Sequence, residues 1–420
     1  MRRAGVGTGC GLAEVFSLLQ TGARWCCTMK GDDTMTKKIT NPEILAIRAA
    51  ADVDPACGRV WVGLDVGLKS TSVCVLDRDG KVVHQVSMKT HPTEIGRYLA
   101  KNFASNVAVV GMETGAMSAH LADGLRRQGY QVAVMDALQV HRVLSLKRNK
   151  TDTNDARGIA EITRTGRDYL TEVYVKSAAC YEVRAQLIMR HRLVQQRLAN
   201  ENMIRGLLRV YGGRVEPGAK SSATYRERVV EQLLIIQDHE GLNLRPRILP
   251  VLDLCERLQV DAERIETELE ALAAANPICR RFMAVPGIGA ITALSFFTAI
   301  EEPSRFRRAD DVAAYLGLTP RVYQSGESLT HGKISKMGNR LTRTHMVNAA
   351  TVLLSATKTF SSLKDWGVRL AKKVGFNKAK VAVARKLAVI LFGMWRDGTH
   401  FQFKSETVEP HRQMMQAARA

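Results

Sequence analysis

The sequence predicts an α/β domain followed by a mainly helical region, and three patterns carry that prediction. Between Val60 and Met135, short apolar runs alternate with amphipathic stretches, as in a sheet whose later strands are joined by helices. From about Val175 to Ala275, apolar residues recur at helical spacing with no strand-like run among them. Beyond Val285, apolar helical stretches flank a segment rich in glycine and lysine.

Composition narrows the function classes. A chain of 420 residues can bury a sizeable core, and its length suggests about three domains. Its net charge of +20 calls for an anionic partner, nucleic acid or a membrane surface. No apolar run reaches the length of a membrane span, and the arginine-bearing N-terminus lacks the apolar core and cleavage site of a signal peptide. The eight cysteines (Cys10, Cys26, Cys27, Cys57, Cys74, Cys180, Cys255 and Cys279) show no C-x-x-C spacing. They form neither a zinc motif nor a disulfide framework, and the reading is a reducing cytoplasm.

Residues 1–56 lack a clear period and read as a poorly ordered leader, with at most a short helix from Pro42 to Ala51. Met1 and Met35 are both open as the natural start. Residues 57–168 form the expected α/β domain. Val60–Val66, Ser72–Leu76 and Val82–Met88 are three strands of an antiparallel meander, turning at Asp79-Gly80. Helices at Pro92–Phe103 and Met117–Gln128 then lead into apolar strands at Val107–Met112 and Val132–Met135. The order β-β-β-α-β-α-β-α resembles that of a ribonuclease-H-like, RuvC-like domain.

The acidic residues fall at telling places on that order. Asp65 lies inside the first, apolar strand, and Glu113 directly follows the fourth. Asp152 and Asp155 share one face of the helix after the fifth strand, with Thr151 as its cap. A lone aspartate in a buried strand reads as half of an ion pair, and D-x-x-D alone reads as an acidic helix start. Four such acids at these topological positions, where the carboxyl ends of parallel strands face the site crevice, read as a metal site, whose oxygen-only donors suit magnesium, with manganese as the alternative. The rival reading of Asp65–Ser70 as an ATPase phosphate loop needs a second such loop and a glycine-rich adenosine site, which the sequence lacks. Lys147, Arg148 and Lys150, just before the helix, read as a clamp on a nucleic-acid backbone.

Residues 169–278 read as a helical coiled-coil hairpin, internal or joining subunits. Leu187, Val194 and Leu208 recur at heptad spacing, Leu198 and Met203 fill intermediate contacts, and Arg184, Arg190, Arg192, Arg197, Arg205 and Arg209 decorate other faces. Leu252, Leu258, Ile265, Leu269 and Leu272 stripe the returning helix. Residues 279–400 form a mainly helical domain. It opens with Val285-Pro286-Gly287-Ile288-Gly289, similar to a helix-hairpin-helix turn whose backbone N–H groups, at Gly287 and Gly289, bind phosphate. Lys333, Lys336 and Arg340 follow in the glycine- and lysine-rich segment, and Lys380, Arg385 and Lys386 stripe the last helix. Residues 401–420 are a tail.

Together these motifs resemble the DEDD transposases of bacterial insertion sequences, the IS110 and IS1111 group. The match covers about Val60 to Trp395: Asp65 in GLDVGLKS, Glu113 in METG, Asp152 and Asp155 in KTDTNDA, then VPGIG, AAYLGLTPR, YQSGE and GKISKMGNR. The resemblance implies a serine recombinase that cleaves and rejoins DNA at element ends and target, guided by a bridge RNA. It also implies a homodimer or homotetramer, acting in the cytoplasm at the nucleoid. Rejoining without an external energy source requires that the phosphodiester energy be stored, most simply in a covalent protein–DNA ester, and Tyr323, Ser325, Ser328 and Ser335 are the candidate hydroxyls in the third region. The family's Ser-Gly stretch aligns on Ser325, with Ser335 as runner-up. Two other classes compete. A Holliday-junction-resolving endonuclease would use the same acids with metal-activated water but leaves the region after Pro286 without a role. A non-catalytic nucleic-acid-packaging protein would leave the four acids unexplained.

Overall fold

A computed structural model describes residues 58–103, 106–145, 151–166, 169–216, 222–325 and 328–403. The expected leader, the short helix at Pro42–Ala51 and most of the tail lie outside them. The chain divides into two compact units between Ser177 and Ala178.

The first unit is built on a five-stranded sheet of order β3-β2-β1-β4-β5, with β1 at Val60–Val66, β2 at Ser70–Leu76, β3 at Val82–Lys89, β4 at Val107–Glu113 and β5 at Val132–Met135. The first three strands are antiparallel, and β4 and β5 run parallel to β1. Val62, Leu64 and Met112 are fully buried beneath α1 (Pro92–Phe103) and α2 (Ser118–Arg127), whose Ile95, Leu99, Leu121 and Leu125 complete that layer. Each such side chain contributes roughly 1.5–3 kcal/mol by leaving water. The expected β-β-β-α-β-α-β order is thus observed; α3 (Ala137–Leu144) and α4 (Asp152–Glu161) follow β5. Residues just beyond the expected boundary at 168 stay with this unit, because the Val173 N–H donates to the Val134 carbonyl and Glu172 bridges Met135.

On the opposite face, α4 lies against the sheet at two glycines. A Cβ on Gly63 would stand 2.2 Å from the Ala160 nitrogen and 2.3 Å from the Ala156 carbonyl oxygen. A Cβ on Gly111, the register partner of Gly63, would stand 1.8 Å from the Thr163 hydroxyl, in the π-helical turn Ile162–Gly166 that extends α4. Cys74 and Leu76 close this second core against Ala156 and Ala160.

The second unit joins α5 (Ala178–Val210), α6 (Ser222–Glu240), α7 (Arg245–Ala275), α8 (Pro277–Met283), α9 (Ala290–Ile300), α10 (Ala309–Tyr315), α11 (Arg340–Ser355), α12 (Ser362–Val374) and α13 (Phe376–Arg396), with a hairpin of β6 (Pro320–Ser325) and β7 (Ser328–Ile334). Helices α5 and α7 are antiparallel: Val183 and Leu187 share a core with Leu269 and Leu272, and Ile204 and Leu208 share one with Ile248 and Leu252. The contacting positions on α5 run 180, 183, 187, 190, 194, 197, 201, 204, 208, a heptad seam whose middle is polar. Arg190 pairs with Glu266 at 2.7 Å, and buried Glu201 pairs with Arg197 at 2.5 Å and Arg205 at 3.2 Å. Two of the arginines assigned by sequence to outer faces, Arg190 and Arg197, therefore sit in the seam, and Arg205 is buried beside it. Leu198 and Met203, expected to fill it, are exposed. Turn geometry explains the difference, since neither falls on the stripe that Leu187 and Leu208 define.

Helix α9 is apolar on every side, so it becomes the centre of the unit rather than its surface. Phe282, Phe296, Phe297 and Trp395 gather around it, with the Phe297 and Trp395 rings stacked at 4.9 Å. Residues of α5, α7, α9, α11 and α13 share this one core, so the segments read separately as 169–278 and 279–400 pack as one body from Ala178 onward. The basic stripe of α13 is largely used within it: Arg385 meets Asp310 at 3.4 Å, and Lys386 lies 4.9 Å over the Trp366 ring.

Replacing Gly63 with valine should destabilise the first unit by about 1–3 kcal/mol, because the branched side chain meets helix backbone that cannot rotate away. Urea denaturation would show this as a lowered midpoint; an unchanged midpoint would mean that α4 does not need the close contact.

Candidate active site

The glycine contacts orient α4. At its far end, the Arg164 guanidinium donates to the Arg78 carbonyl (2.8 Å), in the turn after Leu76, and Leu76 pairs with Trp61 near the start of β1. Helix α4 therefore runs back along β1, and its first turn heads towards the carboxyl end of that strand. There the Gln85 amide donates to the Thr153 carbonyl at 2.7 Å, tying the turn to β3. The Thr151 hydroxyl accepts from the Asn154 N–H (3.2 Å), the cap expected from sequence.

Strand parity places the other two acids. Gly63 and Asp65 project from one face of β1, and Gly111 and Glu113 from the same face of β4, because residues two apart share a face. The parallel register pairs Gly63 with Gly111 and Leu64 with Met112, so the next step sets Asp65 beside Glu113, on strands about 4.8 Å apart. Both acids are half-buried, as is Asp155, while Asp152 is exposed on the flank of α4. The structure thus brings the acids together as two pairs on neighbouring elements. Among the described residues, no three His, Cys, Asp or Glu side chains are gathered closely enough to hold an ion. The donors are all carboxylate oxygens, and that chemistry suits a hard divalent cation. Lys147, Arg148 and Lys150 lie outside the described residues.

In the second unit, two sequence motifs interlock. Gly317 and Gly338 both take positive φ, 69° and 86°. A Cβ on Gly317 would stand 2.1 Å from the Met337 carbonyl oxygen, and one on Gly338 would stand 1.9 Å from that of Tyr315. The Arg343 guanidinium donates to the Leu316 and Met337 carbonyls at 3.0 and 3.3 Å. This clasp anchors the β6–β7 hairpin, whose Val322 and Tyr323 are 56% and 57% exposed. Ser325 ends β6 opposite Ser328. The Ser335 N–H donates to the Thr319 carbonyl (2.8 Å), and its own carbonyl accepts from Arg321 at 3.4 Å. Lys333 is exposed on β7, Lys336 holds a left-handed φ of 57° at the clasp, and Arg340 opens α11. Sequence reading does not anticipate the hairpin, although the dipeptide Gly326-Glu327 between Arg321–Ser325 and Ser328–Ile334 is a hairpin signal.

The V-P-G-I-G turn joins α8 to α9, with Gly287 at φ 87° and Gly289 capping α9 without a side-chain partner. It lines a cavity of about 570 Å³ with Arg190, Glu266, His345 and Asn348. The Nδ1 atom of buried His345 finds no hydrogen-bond partner among the described residues. Burial, aided by His191 and Arg190, pushes its imidazole down to about 4.

Two family models match the chain. One, of the DEDD IS110 type and described as "Transposase", covers residues 62–212; the other, "Transposase IS116/IS110/IS902 family", covers 279–364. The chain is 33% identical over 338 residues to the Coxiella burnetii transposase for insertion sequence element IS1111A, spanning 79% of this chain and 88% of that protein. It is 28% identical to a protein named "Probable family 20 transposase" of Pseudomonas aeruginosa, spanning 79% and 96%. With the transposase for element IS1328 of Yersinia enterocolitica it shares 26% identity, spanning 81% and 98%.

One pH dependence follows from His345. The unfolded chain binds the imidazole proton near 6.5 and the folded chain only near 4, so the unfolded state holds more protons between those values. Stability should be full at pH 7 and fall by about 3 kcal/mol as pH drops from 6.5 to 4. Denaturation midpoints measured across that range should flatten in His345→Phe.

Proposed function

Because the chain belongs to the IS116/IS110/IS902 family of insertion-sequence transposases, we propose that it cleaves and rejoins DNA at the ends of its element and at the target, guided by a structured noncoding RNA. The observation that carries the catalytic reading is the common face of Asp65 and Glu113 on adjacent parallel strands, with the first turn of α4 directed to the same end. In this reading Asp65, Glu113, Asp152 and Asp155 hold magnesium, or manganese in its place. Such an ion, when bound, polarises the scissile phosphate and stabilises charge on the departing oxygen. The protein's part is to hold the acids: the strand register positions Asp65 and Glu113, and the Thr151 cap with the Gln85 contact positions α4.

Ser325 is the proposed nucleophile. Its hydroxyl oxygen forms a bond to phosphorus as the bond from phosphorus to the departing strand's oxygen breaks, and the serine proton ends on that oxygen. The resulting phosphoserine ester retains the bond energy, so the hydroxyl of another strand can displace the serine and reseal the backbone. Supporting this choice, Ser325 sits at the end of an arm anchored by the Gly317–Gly338 clasp, whereas the backbone of Ser335 is occupied in holding that arm. Gly287, Gly289, Lys333, Lys336 and Arg340, with Lys147, Arg148 and Lys150, are the proposed backbone contacts. The net charge of +20 supports a guide RNA as second polyanion. Exposed Met203, Leu207 and Val210, at helical spacing on α5, support a dimer or tetramer.

Asp155→Asn should abolish strand cleavage while leaving circular dichroism and duplex binding unchanged, and it should weaken manganese binding in calorimetry. Undiminished cleavage would take the acid out of the mechanism. Ser325→Ala should lose the covalent protein–DNA adduct on denaturing gels. An adduct that persists and maps to Ser335 would transfer the role, and wild-type cleavage with no adduct at all would favour a water-using resolvase. Nuclease treatment of the purified protein should stop recombination until RNA is restored; recombination by RNA-free protein would refute the guide.

A further inference from the structure

Helices α5 and α11 enclose a second cavity of about 500 Å³ in the helical unit. One wall is a single face of α5, where Ile188, His191, Arg192 and Gln195 follow i, i+3, i+4, i+7 spacing; the other is the start of α11, with Arg340 and Thr344. The charge here has one sign. Arg192 and Arg340 are exposed and have no ion-pair partner among the described residues, while adjacent Arg190 is already matched by Glu266. Every charged group facing His191 from either helix is cationic: Arg190, Arg192 and Arg340 all hold its imidazole below the ordinary value, after burial, which acts most. The His345 ring stands 6.2 Å away and adds no negative charge. Burial and then Arg340 likewise depress the Arg343 guanidinium. Arg340 itself stands at the first position of α11, the positive end of that helix. A folded protein holds such a concentration of like charge at a modest stability cost, and an anion in the cavity relieves it.

We propose that this cavity is a DNA-backbone site, in which one phosphate sits between the guanidinium forks of Arg192 and Arg340 and accepts a hydrogen bond from His191. Arginine suits the task because its planar fork matches two phosphate oxygens at once. Exposed Ile188 at the rim offers an apolar contact for the adjoining deoxyribose. The inference rests on the reading of the chain as an enzyme acting on DNA, and adds which surface of the helical unit grips the duplex. A phosphate here favours protonated His191, so duplex binding raises its pKa and strengthens as pH falls.

The test is fluorescence anisotropy of full-length protein with a blunt DNA duplex over a range of salt. Arg192→Gln and Arg340→Gln should each lower the log–log salt slope by about 0.9 and weaken binding roughly tenfold near 0.1 M salt. Arg369→Gln, which removes the same charge from an exposed pair with Asp365, should do neither. The His191 imidazole resonance should titrate at higher pH in the complex than in free protein. Duplex binding by wild type that both pocket variants match would overturn the site and leave the DNA reading intact. Failure of wild type to bind any duplex would instead overturn the DNA reading and the site with it. Weakened binding of a structured RNA, with duplex binding unchanged, would assign the pocket to RNA and refute the proposal. If thermal melts show either variant unfolded, Arg192→Lys and Arg340→Lys replace them: retained slope with reduced affinity is expected, and wild-type affinity would count against the fork.

Discussion

The close approach of α4 to the sheet is the contact on which the first unit depends. Gly63 on β1 lets the α4 backbone come within a distance that no side chain would permit, and its register partner Gly111 on β4 admits the Thr163 side chain of the π-helical turn that extends α4. Each lies two residues before an acid on the same strand face, so the positions that admit the helix also aim Asp65 and Glu113 to the side it covers. Helix geometry then carries Asp155 in the first turn towards the same end of the sheet. A bulkier residue at either glycine would lift the helix and separate the two pairs of acids, whatever the acids themselves were.

The second unit solves a different problem, how to stiffen a long antiparallel pair while keeping its register. Apolar residues close both ends of the α5–α7 seam, and charges fill its middle. Buried Glu201 there receives Arg197 and Arg205, and the Tyr225 hydroxyl donates to its backbone carbonyl at 2.9 Å. Arg205 also stands 5.3 Å over the Tyr225 ring. Buried ion pairs add little net stability, because desolvation offsets most of their attraction. The pairs of Glu201 lie within α5 and travel with it, so the register is selected by Arg190, whose partner Glu266 stands on α7 and would be lost if the helices slid by a turn.

The chain's surplus of positive charge is divided between structure and surface. Arg385 and Lys386 are taken up by Asp310 and Trp366, and Arg190 by Glu266. Arg192, one residue from Arg190, has no such partner among the described residues and faces open space with Arg340. Sequence alone ranks these cations equally. The fold separates those that hold helices together from those able to meet a polyanion.

Local pattern sufficed for the order of strands and helices along the chain, for Asp65 within the first strand and Glu113 at the end of the fourth, and for the cap that opens α4, because apolar alternation and capping are written within a few residues. That the first and fourth strands lie side by side is decided by their long-range pairing. The motif GKISKMGNR was legible as a motif, but its partnership with AAYLGLTPR was not. That clasp depends on two positive-φ glycines meeting backbone some twenty residues away. The heptad stripe was visible on α5, yet that Arg190 enters its seam depends on the partner helix returning with Glu266 at the matching height. Sequence likewise marked α9 as apolar without saying that it is the centre around which both helical segments close as one core. Short-range order follows from residue spacing and capping; which faces are buried, which charges are matched and how near two backbones come are settled only when distant segments pack.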